Sequence, residues 1–234
     1  MWGAGIIGAV TDTEDAAAPG PTEWAVPGAP VGVGPWPGGP AAWPADPCYD
    51  PELLAHGDRR NVVDAYRYWR REAVAADLAQ RAHPFHVAIE NFAHDANIGT
   101  VVRTANAFAA AAVHVVGRRR WNRRGAMVTD RYQTVHHHAD VAGLVAFAAT
   151  QGLAVVAVDN TPGAVRLETA RLPRACVLVF GQEGPGLTDA ARAAADLTVS
   201  VAQYGSTRSI NAGVAAGIAM HAWIRAHADL SAAW

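Results

Sequence analysis

The stretch VVAVDNTPGAVRLETARLPRACVLVF, Val155 to Phe180, holds two apolar runs, Val155–Val158 and Val177–Phe180, that read as fully buried strands. The connection Asp159–Arg174 has 16 residues and contains Pro162, Gly163 and Pro173. A crossover between parallel strands needs about a dozen or more residues and is usually helical. This one is near the minimum and poorly helical. The C-terminal half is therefore expected to depart from ordinary doubly wound topology.

The same alternation extends outward in both directions. Further strand candidates are His86–Ile89, Val113–Val116 and Thr198–Val201, and helical patterns lie at about 98–110, 139–149, 188–195 and 209–227. Near-continuous apolar strands alternating with helices predict an α/β fold with a parallel sheet covered on both faces. No internal repeat is evident.

Composition bounds the function classes. Of 234 residues, 51% are apolar and 17% charged, enough to bury a core and too apolar for a wholly disordered chain. Cys48 and Cys176 are too few for a disulfide framework or a cysteine zinc site, and read as small incidental thiols. The longest uncharged stretch, Val141–Val158, is interrupted by Thr150, Gln151 and Gly152, so a helix followed by a strand fits better than a bilayer span. MWGAGIIGAV at the start lacks the positive region of a signal peptide. A cytoplasmic protein with no membrane partner is expected.

Charge is asymmetric. Lysine is absent; residues 1–58 carry eight acids and no Arg, and residues 59–234 carry all 19 arginines against 13 acids. An acidic head thus precedes a basic body, and a basic body is a weak pointer to a polyanionic partner. The first 51 residues include ten prolines and nine glycines, so residues 1–57 read as an irregular acidic arm, either disordered or docked by Trp24, Trp36 and Trp43. Residues 58–83 read as a helical lead-in. Asp58 is its expected N-cap, Val62, Tyr66, Trp69, Ala73 and Ala76 form one face, and Pro84 closes it. The main domain then spans 84–234.

Three polar, glycine-bearing segments each follow a strand candidate: NIGTVVRTANAF (97–108), FGQEGPGL (180–187) and VAQYGSTRSINAG (201–213). Ligands of parallel α/β sheets gather at the carboxyl ends of strands, so the three describe one site. Taken singly, each has an ordinary structural reading. Gly181, Gly184 and Gly186 suit a strand-to-helix turn as well as close approach to a ligand. Arg103, among Val101, Val102, Thr104 and Ala105, is expected to be partly buried with an ion-pair partner if Asn97 caps its helix. Ser209 and Asn211 suit an N-cap, and Arg208 suits solvent. No GxGxxG or GxxxxGK[ST] phosphate motif occurs.

Together, in order and spacing, the segments resemble the SpoU/TrmH group of RNA ribose 2′-O-methyltransferases of the SPOUT superfamily. The resemblance rests on Asn97, Gly99 and Arg103, then Gly181, Glu183, Gly186 and Leu187, then Ser209, Ile210 and Asn211, and covers roughly residues 84–227. It implies an α/β fold with a C-terminal trefoil knot, a homodimer, and S-adenosyl-L-methionine as cofactor. It also implies catalytic roles for Asn97, Arg103, Glu183, Ser209 and Asn211, and cofactor contacts from Gly181, Gln182, Glu183, Gly184, Gly186, Val201, Gln203, Ser209 and Ile210. Two departures stand out. Val201-Ala202-Gln203 replaces the family's Ile-Pro-Met, and the small RNA-binding domain that some members carry ahead of the catalytic domain is not recognisable.

The resemblance gives the residues roles. Arg103 would anchor a phosphate and stabilise the developing ribose oxyanion rather than act as a base, because a guanidinium stays protonated. Asn97 would orient Arg103, and Glu183, Ser209 and Asn211 would order the loops. The apolar last helix, with Ile218, Met220, Trp223 and Ile224, offers a surface for the partner copy. In GRRRWNRRGAMVTDRY, Arg118, Arg119, Arg120, Arg123, Arg124 and Arg131 would bind phosphates of transfer or ribosomal RNA while Trp121 stacks on a base. The following His136, His137 and His138 read as surface or RNA-facing side chains, with no metal site. The alternatives are a catalytically silent RNA-binding protein of the same fold and an unrelated nucleotide-binding enzyme.

Overall fold

The computed structural model describes residues 32–91, 97–182 and 184–231, in two compact units that divide at Tyr68 and Trp69. Among the described residues, the N-terminal unit has one α-helix, α1 (Pro51–His56), whose first turn is capped by the Asp50 carboxylate accepting from Glu52 N. Trp36 packs edge-on against Tyr49 and Tyr68 at 5.8 and 5.2 Å between ring centroids. Within its described residues the arm is thus packed, and Trp36 is one of the residues that pack it. Trp24 lies outside them.

Asp58 does not cap a helix. It is fully buried, and its carboxylate accepts from Arg60 N, Nε and Nη2 and from Tyr68 N at 2.6–3.0 Å. Burial pushes this carboxyl up, but the Arg60 and Tyr68 bonds outweigh it and hold it below the usual carboxylate range. The continuous helix expected within the 58–83 lead-in is also broken. A 3-10 turn covers Asp64–Tyr66, Tyr68 takes a left-handed φ of 62°, and α2 runs only over Arg71–Gln80. The expected apolar face does not continue across the break: Tyr66 is buried in the first unit, but on α2 the buried residue is Val74, whereas Ala73 is half-buried and Ala76 exposed. Pro84 lies inside the next strand, one residue past its start.

The second unit is a seven-stranded parallel sheet. Its strands are β1 (His83–Asn91), β2 (Ala110–Gly117), β3 (Val135–His138), β4 (Ala154–Val158), β5 (Val165–Arg166), β6 (Cys176–Phe180) and β7 (Leu197–Ser200), in the order β3-β2-β1-β6-β4-β7-β5. The helices are α3 (Ile98–Ala107), α4 (Val141–Gln151), α5 (Asp189–Ala193) and α6 (Ala212–His227). Side chains alternate across the pleat. Phe85, Val87 and Ile89 of β1 join the core that includes Ile98, Val101, Val102, Met220 and Trp223 of α3 and α6. Ala88 joins the opposite core with Leu144, Ala148 and Ala191 of α4 and α5.

The unusual connection is confirmed in form. From β4 the chain passes to the far edge, forms β5, and returns to β6 on the other side of β4 with no helix; β7 lies between β4 and β5. The C-terminal helix is fastened to this connection by Trp223 Nε1, which donates to Pro173 O and Arg174 O at 3.2 and 3.1 Å. Met220 and Trp223 are therefore fully buried and cannot form an intersubunit surface. The large exposed apolar residues of α6 are Val214 and Ile218.

His136 and His138 are half-buried rather than fully at the surface. They belong to β3 and pack with His86, His114 and Phe147 beneath α4; only His137 is exposed. His86 Nδ1 and His114 Nε2 share a hydrogen bond of 2.9 Å, and His114 Nδ1 and His138 Nε2 share one of 2.8 Å. Burial, then the neighbouring imidazoles, lowers His86 to about 4 and His114 to about 2. These rings are neutral when folded, whereas unfolded histidines take up protons below about pH 6.5. As pH falls from 6.5 towards 4 the unfolded chain binds more protons, so stability is lost, by about 1.4 kcal/mol per pH unit for the fully buried His114. Urea midpoints at pH 7 and pH 5 should differ accordingly, and His114→Leu should flatten the difference. Equal midpoints in the parent would refute the coupling.

Candidate active site

The carboxyl ends of β4, β6 and β7 open onto a cleft of about 350 Å³. Gly181, Gln182, Gly184, Gly186, Val201, Gln203, Ser209, Ile210 and Asn211 border it, so the second and third segments form its walls. Glu183 lies outside the described residues. The walls also include Asp159, Asn160 and Arg208, which the sequence reading did not select. Asp159 and Asn160 directly follow β4, and the rule that ligands gather at strand ends, applied to that strand too, would have found them.

The glycine segment is a closed turn. Gln182 N donates to Gly186 O at 3.2 Å, and Gly186 N donates back to Gln182 O at 3.1 Å. Gly184 and Gly186 have φ of 97° and 71°. Gly181 is needed for another reason: a Cβ there would overlap the Gly186 carbonyl carbon and Leu187 N.

Two anchors hold the far end of this turn. Glu90, 1% exposed at the end of β1, accepts from Thr188 N at 2.8 Å through Oε2 and from Thr188 Oγ1 at 2.6 Å through Oε1. Arg192 donates to Leu187 O, to Asp159 Oδ2 at 3.1 Å and to Asp189 Oδ1 at 2.7 Å. A lone Glu in an apolar strand gives no sequence signal of a partner 98 positions away.

The third segment includes Asn211, the N-cap of α6, whose Oδ1 accepts from Gly213 N and Val214 N at 2.9 and 3.2 Å. Its Nδ2 donates to Asn97 Oδ1 at 2.9 Å. Asn97 precedes α3 but its side chain caps no N–H there; the described bond runs to Asn211. Small residues allow this meeting. A Cβ on Gly213 would lie 3.2 Å from Thr100 Cγ2, so α6 and α3 approach closely beside both asparagines. Arg103, on the second turn of α3, is exposed rather than partly buried, and neither it nor Asn97 lines the cleft.

Gly99 serves packing. A Cβ there would come within 2.6 Å of Ala126 N and 2.7 Å of Gly125, so its absence lets the 123–126 turn lie on the start of α3. In the same stretch all six arginines are exposed, but Trp121 is 9% exposed and belongs to the core with Ala126 and Val101. The stacking role expected of Trp121 is therefore corrected: its ring is occupied by core contacts.

A model of the SpoU rRNA methylase family matches residues 84–221. The chain is 27% identical over 147 residues to the tRNA (guanosine(18)-2′-O)-methyltransferase of Escherichia coli K12, covering 62% of this chain and 64% of that protein. It is 31% identical over 174 residues to an uncharacterized tRNA/rRNA methyltransferase of Mycolicibacterium smegmatis, covering 68% of this chain and 52% of that one. The chain thus spans between half and two thirds of the length of these curated relatives. Among solved structures, the fold matches the A. aeolicus TrmH/SpoU tRNA modifying enzyme with a TM-score of 0.60 at 20% identity, over 67% of this chain and 82% of that one. It also matches the SpoU methyltransferase AviRb of Streptomyces viridochromogenes in complex with AdoMet, with a TM-score of 0.56 at 22% identity, over 61% and 58%.

Proposed function

We propose, from the premise that this chain belongs to the SpoU rRNA methylase family, that it transfers a methyl group from S-adenosyl-L-methionine to a ribose 2′-hydroxyl of transfer or ribosomal RNA. The observation that carries the reading is the Asn97–Asn211 hydrogen bond. It ties the segment bearing Arg103 to the wall of a cleft built by the other two segments.

The cleft suits the cofactor. Gln203 Oε1 is buried at its wall with no hydrogen-bond partner among the described residues, an acceptor placed for an N–H donor of a ligand. Val201 and Ile210 supply apolar wall, and Gly181, Gly184 and Gly186 bring backbone to the cleft without side chains. S-adenosyl-L-methionine supplies an already activated methyl group. The chain then contributes position and charge. Arg103, permanently cationic and exposed, holds the phosphate beside the target ribose and stabilises negative charge growing on the 2′-oxygen. Asn211 fixes the start of α6, and Glu90 and Arg192 keep the glycine turn closed.

The exposed arginines 118–131 bind RNA phosphates. The C-terminal trefoil knot, a homodimer and a cytoplasmic location belong to the same proposal. The placement of β7 between β4 and β5 supports the first, and exposed Val214 and Ile218 on α6 supply apolar area for the second. No described helix is long and apolar enough to cross a membrane.

The test is transfer of a tritiated methyl group from S-adenosyl-L-methionine to total RNA from a strain lacking this gene, with the modified ribose mapped afterwards. Incorporation at a 2′-oxygen is expected. Cofactor and RNA binding without incorporation would instead identify a silent RNA-binding protein. Sedimentation equilibrium should give twice 24.5 kDa, and a single-chain mass at all concentrations would remove the dimer.

A further inference from the structure

The strongest unassigned feature lies outside the cleft, at the tip of the arginine-rich segment. Met127 and Val128 adopt consecutive left-handed conformations, with φ, ψ of 48°, 45° and 71°, −2°. For a β-branched residue such as Val128 this is a genuine outlier. Both side chains are exposed, at 55% and 49%. A glycine or asparagine would adopt this backbone without the strain, and a polar residue would suit the exposure. An apolar, β-branched side chain held there against both preferences indicates that the side chain itself is used.

The base of the tip is firmly built. Trp121 and Ala126 are buried, Asn91 Nδ2 donates to Arg118 O and Arg120 O at 2.7 and 3.2 Å, and Arg123 pairs with Asp130 at 3.3 Å. The 125–126 backbone rests on Gly99, four residues before Arg103 on the same helix. The tip is therefore fixed relative to Arg103.

We propose that Met127 and Val128 form an apolar wedge that packs against an unstacked nucleotide of the substrate RNA while the surrounding arginines hold its phosphates. The proposal rests on the methyltransferase reading. Charge selects the occupant. Residues 118–131 carry six arginines and one aspartate, and that aspartate is already paired, so a polyanion is complementary. A second copy presenting the same tip would bring like charges together. Apolar side chains inserted at a base step are a known means of separating stacked bases, and unstacked, splayed-out nucleotides are the usual targets of sequence-specific RNA recognition. The wedge takes over the contact that buried Trp121 cannot make.

Val128→Gly and Val128→Asn test this, because both residues tolerate the backbone and remove the apolar group. Filter binding of total RNA from the gene-deleted strain should show affinity reduced about tenfold or more. The log–log salt slope should stay unchanged, because no phosphate contact is lost. Thermal midpoint should be equal or higher, and calorimetric S-adenosyl-L-methionine affinity unchanged. Replacing Arg119, Arg120 and Arg123 by alanine should instead lower the slope, by about 0.7–0.9 per phosphate contact. RNA bound equally by parent and Val128→Gly removes the wedge alone. A lowered thermal midpoint in both variants makes Val128 structural and also removes it. A parent that binds no RNA and transfers no methyl group removes the methyltransferase reading as well.

Discussion

Arg103→Ala is expected to reduce methyl transfer by at least about 100-fold, the scale on which removal of one preorganised oxyanion-stabilising group acts. S-adenosyl-L-methionine affinity should hardly change, because Arg103 is absent from the cleft lining. The side chain is exposed on α3, whose buried residues are Ile98, Gly99, Val101, Val102 and Ala105, so the fold should survive its loss. Arg103→Lys is expected to recover little, because an ammonium keeps the charge but loses the planar fork that holds a phosphate at two points. Single-turnover transfer with saturating RNA, paired with calorimetry, separates the roles. Unchanged turnover in the alanine variant would remove Arg103 from the mechanism. A parallel loss of cofactor affinity would place it in the cofactor site.

Much of this architecture is legible in the sequence, and the parts that are not share physical causes. Strands β4 and β6 are visible because strands buried on both faces are apolar without interruption, and β1, β2 and β7 are visible through the shorter apolar runs they contain. β3 is hidden because its residues are VHHH, and histidine in a strand resembles a polar surface until the facing rings are known. β5 is too short to leave a pattern, and its two residues are exposed. The glycine turn and the caps are local and leave local signatures, so the second and third segments could be assigned to one cleft. Glu90 could not, because its partner Thr188 comes from another part of the chain. Trp121 and Tyr68 fail in the same way. Whether an indole is core or platform depends on what packs over it. Whether an apolar period is one helix or two pieces depends on a single left-handed residue.

Gly181→Ala is expected to cripple cofactor binding, and its cause differs from the usual conformational argument for glycine. Gly181 has no positive φ; its added Cβ would overlap the Gly186 carbonyl carbon and Leu187 N. Those atoms belong to the backbone, so no rotamer change relieves the contact. Neither side can retreat easily. Phe180 before it is 1% exposed in a strand bonded on both sides, and Leu187 after it is 2% exposed and followed by the Glu90-bound Thr188. The reciprocal Gln182–Gly186 bonds are the weakest link, and the turn must open there. Overpacking of this kind costs about 1–3 kcal/mol, which corresponds to a roughly 5- to 150-fold loss of S-adenosyl-L-methionine affinity if the closed turn is the binding form. Gly205→Ala is the control. It lies in the third segment, has no positive φ, and its Cβ would meet nothing within 4 Å. Alanine there should leave affinity and thermal midpoint as in the parent. Calorimetry on both variants decides the matter: parent-like affinity in Gly181→Ala would mean that the 181–187 turn does not hold the cofactor.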